Sequence, residues 1–438
     1  MKSVLIKKVC LGWIAVFFFF PGKAQEIPIQ LTLEKAIEIT LDANPSIKVA
    51  NREIEKKNYA KKEVLGGLFP KIDASGQYTH TIKKQVFAFQ DMQVEVGTSN
   101  QWTGGFTASL PLIAPTLWRS INLTERDVEL AIESSRASKI DAVNLVKNAF
   151  YTVLLARDSY NVYKRSYDNA KENYENIKHK YENGLVAEYD MIRANVRVKS
   201  IEPNMIQAEN GVNLSLMQLK VLMGIDIATN INPMGELANY EMGMYGELLR
   251  QDTALTDNSD LKQFDIQKKI LNENLKLQKA EFLPTLAVTG LYQWVALNED
   301  FSITKNDYSP FSTVGLSLSI PIFSGGSKVN KIKQTKISLA QMEMQRTDLI
   351  RNLQLAVRNY ADAITKSVEA AAAAKEGVSE AEKGYQIALK MYDTGMGTML
   401  DVNDADLARI NAGLQYNQAI FDYLSAKSNL EKVLGREN

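Results

Sequence analysis

The stretch Tyr392-Asp393-Thr394-Gly395-Met396-Gly397-Thr398-Met399-Leu400-Asp401-Val402-Asn403-Asp404-Ala405-Asp406 is a glycine turn between two long helical patterns. It is echoed by Tyr181-Glu182-Asn183-Gly184-Leu185-Val186-Ala187-Glu188-Tyr189-Asp190-Met191. Gly395 lies 211 residues beyond Gly184 and Asp401 lies 211 beyond Asp190, so the chain reads as two copies of one unit. At each place a proline-free helix runs into a glycine, which takes the left-handed conformation that ends a helix. A second helix then starts near an aspartate, whose carboxylate is stabilised by the free N–H groups and the macrodipole. Taken singly, either stretch is adequately explained as a helical hairpin with a well-capped turn.

Outward from the turns, the helices are too long for a globular core. Leu117 to Asn183 contains neither proline nor glycine, which at 1.5 Å per residue predicts a helix about 100 Å long. Tyr160, Tyr167, Tyr174 and Tyr181 recur every seven residues, a coiled-coil period. Beyond Gly184 a helix is expected to about Met223, kinked or broken at Pro203. The second long helix, about Lys328 to Thr394, carries two adjacent seams. One is mostly small (Ala356, Ala363, Ala370, Gly377, Gly384) and the other larger (Ile350, Val357, Ile364, Val368, Tyr385). A two-helix hairpin needs one seam, whereas a cylinder of helices needs two. A last helix is expected from about Asp401 to Leu434.

Before each long helix the period changes from 3.6 to two. Ile72, Ala74, Gly76 and Tyr78 alternate with polar residues, as do Trp102, Phe106, Leu110 and Leu112 after a polar loop. The second copy repeats this with Leu286, Val288, Tyr292 and Trp294, then Val314, Leu316, Leu318 and Ile320. Four strands are expected, about 71–80, 102–112, 285–296 and 312–322, within repeats at about 31–224 and 247–435. Strands of about ten residues with aromatics near their ends fit an outer-membrane barrel; a soluble sandwich edge is the other reading. On the barrel reading Ile72, Tyr78, Phe106, Val288, Tyr292, Leu316 and Leu318 face outer-membrane lipid, and Ser75 and Ser317 face the other way. Four strands cannot close a barrel, and an open edge in a bilayer would leave backbone groups unpaired, so the chain must oligomerise if it is a membrane protein. Eight strands would have a filled interior, whereas twelve, from three copies, leave a channel.

Composition narrows the function. Residues 1–24 read as a secretory signal peptide: Lys2, Lys7 and Lys8, an apolar run from Val9 to Phe20, and cleavage after Ala24. The one cysteine, Cys10, falls inside it, so the mature chain has no thiolate zinc site, disulfide or cysteine nucleophile. Lys plus Arg equals Asp plus Glu at 51 each, so no basic excess points to nucleic acid. With His80 and His179 as the only histidines and no metalloprotease, phosphate-loop or nucleophile-elbow motif, no enzyme and no cofactor are expected.

The chain resembles the TolC-like outer-membrane efflux channels across essentially the whole mature sequence. The resemblance rests on the opening from Leu33 to Pro45, on Leu68-Phe69-Pro70 and Phe282-Leu283-Pro284 leading into strands, and on Leu110-Pro111-Leu112 echoed by Ile320-Pro321-Ile322-Phe323-Ser324-Gly325-Gly326. Gly184-Leu185-Val186-Ala187 and Asp401-Val402 at the turns complete it. It implies a mainly α fold with a membrane β-barrel part: a homotrimer whose four strands per chain complete a twelve-strand barrel, above an α-helical barrel of coiled-coil hairpins crossing the periplasm. It further implies a periplasmic adaptor and an inner-membrane pump of RND or ABC type as partners. The duct would pass small toxic compounds or exported polypeptides.

By the same resemblance Asp401 and Asp404 match two acidic rings that constrict the tunnel, and Tyr392 and Asp190 an inter-helix tether. A second tether, an arginine with a threonine, is replaced here by Gly397 and Tyr189. Gly184, Leu185, Val186, Gly395, Gly397 and Thr398 are the expected adaptor-contact tips. The competing reading is a periplasmic coiled-coil adaptor or structural protein, which has helical hairpins but no duplicated set of membrane-type strands.

Overall fold

The computed structural model describes residues 29–89, 92–246, 254–302 and 307–437; the signal peptide expected at 1–24 and the expected start of the second repeat at about 247 lie outside them. Strand β1 (Ile29–Leu31) leads to α1 (Leu33–Ala43), whose first turn is capped by Thr32. Asn44 then caps α2 (Pro45–Gly66), its Oδ1 accepting the Ser46 and Ile47 N–H groups at 2.8 and 3.3 Å, with Pro45 at the first helical position, where a missing N–H costs nothing.

Strand β2 (Lys71–His80) follows, then β3 (Gln85–Phe89), β4 (Met92–Val96) and β5 (Asn100–Ile113). The expected polar loop between the first two long strands therefore contains a hairpin of its own, β3 against β4. Gln85-Val86-Phe87-Ala88-Phe89 and Met92-Gln93-Val94-Glu95-Val96 are short β-branched and aromatic runs, which suit paired strands better than loop.

Helix α3 (Pro115–Glu182) runs 68 residues, and α4 (Glu188–Met223) follows the first turn. Pro203 does not break α4. Val198 and Ile201 before it and Ser215 and Leu219 beyond it are buried while Pro203 itself is exposed, so packing anchors the helix on both sides of the missing N–H. The junction then forms β6 (Ile231–Pro233), a 3₁₀ turn at Leu237–Tyr240 and α5 (Glu241–Gly246). β6 pairs in parallel with β1, tying the first described residues to mid-chain.

The second repeat runs α6 (Ser259–Ala280), β7 (Thr285–Asn298), β8 (Ser309–Ser319), α7 (Ser327–Asp393) and α8 (Met399–Val433). β8 starts and ends three residues earlier than its expected span of 312–322: Pro310 is accommodated at the start of this edge strand, whereas Pro321, which cannot donate to a ladder, lies past its end.

The two repeats are joined alike. Asn44 Nδ2 donates to Leu222 O at the end of α4, and Asn258 Nδ2 donates to Val433 O at the end of α8, each at 2.7 Å. Beside each bond sits a left-handed glycine, Gly224 and Gly435, where a Cβ would strike the Ala43 or the Asp257 carbonyl.

β2, β5, β7 and β8 form one antiparallel sheet in that order. Its register sets Ile72 beside Ala108, Ala108 beside Gly290 and Gly290 beside Val314, so even-numbered residues of all four strands share a face. That face holds Ile72, Tyr78, Phe106, Val288, Tyr292, Leu316 and Leu318, while Ser75 and Ser317 lie on the other. β2 and β8 each keep one edge unpaired among the described residues.

In the helical part α3 packs on α4, α7 on α8 and α3 on α8, giving a lateral order α4-α3-α8-α7; toward the sheet, α2 and α6 take the places beside α3, and α6 also meets α7. The core lies at mid-height, around Phe150 and Leu154 of α3, Leu219 and Met223 of α4, Ile420 and Leu424 of α8, and Leu237 of the junction. Of the two seams of α7, the larger one is buried at Val357, Ile364, Val368 and Tyr385, whereas the small one is open at Ala370, Gly377 and Gly384. Among the described residues no helix is long and apolar enough to cross a membrane.

Candidate functional site at the hairpin tips

Both turns close the same way because both spell helix, glycine, helix. Gly184 and Gly395 take φ of 70° and 73°. Leu185 N donates to Lys180 O at 2.9 Å and Met396 N to Met391 O at 2.9 Å, which satisfies carbonyls that the helix end would leave free. A side chain added at either glycine would meet open space, so the requirement for glycine is conformational. Gly397 differs: a Cβ there would sit 3.0 Å from the Met391 Cβ.

Of the expected contact residues, Gly184, Leu185, Gly395 and Thr398 are exposed, and Leu185 at 73% is as bare as Met396 across the tip. Val186 and Gly397 are half-buried, Val186 against the cluster of Ile177, Ala194, Tyr385, Met399 and Val402 that packs the two tips together. Lys180 Nζ also joins them, 3.0 Å from Asp393 Oδ1 and 5.9 Å from the Tyr392 ring centroid.

The expected tether between Tyr392 and Asp190 is not made within the chain. The Tyr392 hydroxyl is buried and has no hydrogen-bond partner among the described residues. Burial, with the Asp190 and Asp393 charges, pushes that hydroxyl above its usual range. Asp190 lies in the first turn of α4, half-buried.

Asp401 and Asp404 are exposed on one side of the first turns of α8. Asp401 Oδ2 accepts Thr398 N at 2.8 Å and Thr398 Oγ1 at 2.7 Å, and Asp401 N donates to Thr398 Oγ1 at 3.4 Å, a reciprocal capping box. These bonds, the Thr398 hydroxyl first, hold the Asp401 carboxyl below the ordinary carboxylate range. The Asp404 carboxylate makes no hydrogen bond or ion pair among the described residues.

Asp406, two residues beyond Asp404, has no role assigned by the sequence and is the most enclosed carboxylate at the tip, with its side chain 6% exposed. It accepts from Ser166 Oγ of α3 at 2.7 Å, from Arg409 Nη2 of α8 at 2.8 Å and from Arg197 Nη2 of α4. Arg409 in turn lies 4.1 Å over the Tyr385 ring of α7 and 3.6 Å from Glu382. Four helices therefore meet at one ionic node. The sequence signal was a charged residue at a core position of the hydrophobic pattern, two residues after the exposed Asp404.

No group of His, Cys, Asp and Glu among the described residues is arranged to hold a metal ion. The geometry offers two exposed carboxylates and bare turns at the far end of helices about 100 Å long.

The family described as "Outer membrane efflux protein" matches residues 36–225 and 251–436. The chain is 22% identical over 340 residues to the outer membrane protein TolC of Vibrio cholerae, covering 77% of each. It is 24% identical over 310 residues to the alkaline protease secretion protein AprF of Pseudomonas aeruginosa, covering 70% of this chain and 64% of that one. Among solved structures, the Campylobacter jejuni CmeC outer membrane channel superposes with a TM-score of 0.74 at 18% identity, over 92% of this chain and 85% of that one.

Proposed function

Because the chain belongs to the outer membrane efflux protein family, we infer that it is the outer-membrane export duct of a tripartite system, a passive channel whose tunnel extends into the periplasm. One observation carries this reading: an antiparallel sheet with one apolar face and two edges unpaired among the described residues is joined to helices about 100 Å long. Such edges are not tolerated in lipid, so copies must meet edge to edge, β8 of one against β2 of the next, and three copies make twelve strands with an open lumen.

The helices support the same assembly. The lateral order leaves α4 and α7 outermost, and both present unpartnered seams: Tyr189, Ile192, Val196 and Val221 on α4, the small-residue seam on α7. Joining α4 of one copy to α7 of the next closes a tube of twelve helices at the tip.

The partners follow from the shape. A duct with no energy source of its own needs an inner-membrane pump, of RND or ABC type, and an adaptor gripping the bare tips at Gly184, Leu185, Val186, Gly395, Gly397 and Thr398. The gate is assigned to Asp401 and Asp404, three-fold repeated around the axis, with Tyr392 and Asp190 beside them. Cargo is small toxic molecules or polypeptides; the protease-secretion relative keeps the second in play. A duct does no catalysis, and the adaptor reading leaves the sheet without a role.

The test is cross-linking of the full-length protein in mild detergent, followed by planar-bilayer recording. A trimer with discrete conductance is expected. Saturation at the dimer, or a trimer that leaves the bilayer sealed even after its tip is loosened, contradicts the duct.

A further inference from the structure

Asp401 and Asp404 can act on passing ions only if α8 is rotated so that they face the lumen. Apolar packing, with Met399 and Val402 buried, turns one face of α8 inward but fixes its angle only coarsely. The tip-side contacts of α8 are Met399, Val402 and Ala405, small or flexible groups whose attraction is non-directional. Asp406 is different. It lies five residues after Asp401 and two after Asp404, which at 100° per residue is roughly 140° and 200° around the helix. The buried carboxylate thus sits on the back of the face that carries the exposed pair.

Its donors come from three helices, and each fixes a direction. Ser166 of α3 and Arg197 of α4 both bind Oδ2, while Arg409, one turn along α8, binds Oδ1. The side chains of Arg197 and Arg409 are only 16% and 10% exposed. Rolling α8 by one residue would draw the carboxylate away from these donors and leave unpaired charges in a water-poor site, the costliest way to break such a node. Buried ionic groups are best attested as devices that fix register, and here the register is that of the gate helix.

We propose that Asp406 is the positioning residue of the acidic gate: clamped by Arg197, Arg409 and Ser166, it sets the rotation of α8 and so aims Asp401 and Asp404 into the duct. This rests on the reading of Asp401 and Asp404 as duct-lining, and the experiment separates the two. Single-channel cation preference is measured in planar bilayers for the full-length native protein, Asp406→Asn, Asp406→Glu, Arg197→Gln, and Asp401→Ala with Asp404→Ala. Trimer mass is checked for each.

The acidic-pair variant must lose cation preference. Asp406→Asn, with both gate carboxylates intact, should lose roughly twofold for each carboxylate displaced from about 4 to about 8 Å from the ion path in a water-like medium. Asp406→Glu, which keeps the charge, should recover most of it. If Asp406→Asn does not assemble, Arg197→Gln, which leaves Ser166 and Arg409 on the carboxylate, carries the test with the same sign. A purely structural Asp406 would lower melting temperature and leave ion preference unchanged in assembled trimers, which overturns the positioning role while the acidic pair still scores. If the acidic pair itself has no effect, the duct-lining reading falls and this inference with it.

Discussion

Thr398 and Asp401 cap each other. The Asp401 carboxylate accepts the Thr398 N–H at 2.8 Å and its hydroxyl at 2.7 Å, so one aspartate both closes the start of α8 and presents negative charge at the tip. The two roles separate by mutation. Thr398→Ala removes the cap partner and should cost about 1 kcal/mol of local stability, while Asp401 and Asp404 keep their charge and ion preference holds. Asp401→Ala with Asp404→Ala should instead weaken cation preference and divalent block, since acidic rings are a device of cation pores. If the double variant frays the tip and leaves both properties untouched, Asp401 is a cap and no more.

The cap also has a pH sense. Because the Asp401 carboxyl titrates below its unfolded value, its contribution is present above the ordinary carboxylate range and is lost as pH falls through the folded pKa. Amide protection in the first turn of α8, taken relative to the intrinsic exchange rate at each pH, should therefore fall below about pH 4, and Asp401→Asn should show the low protection at neutral pH already. Equal protection at pH 3 and pH 7 in the native protein would count against it.

The shared face of the sheet predicts an asymmetry between neighbours. Leu316 and Ser317 are adjacent but lie on opposite faces, Leu316 in line with Val288 and Leu110. Leu316→Arg should destabilise the barrel by about 2–4 kcal/mol near the midplane, and Ser317→Arg, facing the lumen, should be tolerated. Heat-modifiability on gels compares them directly; equal losses would mean that the lipid face is misassigned.

Gly104 and Gly105 make a sharper pair. A Cβ at Gly105 would lie 2.4 Å from the Tyr292 carbonyl oxygen and 2.8 Å from the Gln293 Cα, whereas one at Gly104 meets nothing within 4 Å. Gly105→Val should block pairing of β5 with β7 and abolish outer-membrane assembly; Gly104→Val should assemble. Trimer yield from membranes decides.

At the tips, Gly184 and Gly395 need the left-handed conformation but have room around them. Asn tolerates that conformation, so Gly184→Asn should preserve the turn, while Gly184→Trp should obstruct a docking adaptor as well as strain the backbone. Loss of cross-linking to the native adaptor in the tryptophan variant, and retention in the asparagine variant, is the expected pattern. Retention in both would make these turns only turns.

Much of this molecule is legible in one dimension because its rules are local. A 3.6-residue period, a two-residue period, two glycines 211 residues apart and Asn44 before Pro45 each report a backbone state fixed within a few residues, and they set the repeats, the long helices and the four long strands. Where a local rule competed with packing, the break it allowed did not occur: Pro203 lies inside a continuous α4 that is anchored by buried Val198 and Ile201 before it and by buried Ser215 and Leu219 beyond it. The β3–β4 hairpin was hidden for a related reason, its runs being too short to stand out from a polar loop.

The site divides along the same line. That Asp401 and Asp404 share a helix face follows from spacing alone. That Asp406 meets Arg197 and Ser166, 209 and 240 residues away, does not. Nor does the lack of a hydrogen bond from Tyr392 to Asp190 within the described residues of one chain. An ion pair between distant segments depends on which helix faces meet and at what height, and those are set by the packing of α3, α4, α7 and α8 against one another. The Asp401 cap is local to the chain, its partner Thr398 being three residues away; tertiary structure decided which of the other two aspartates stays exposed and which is locked in the core.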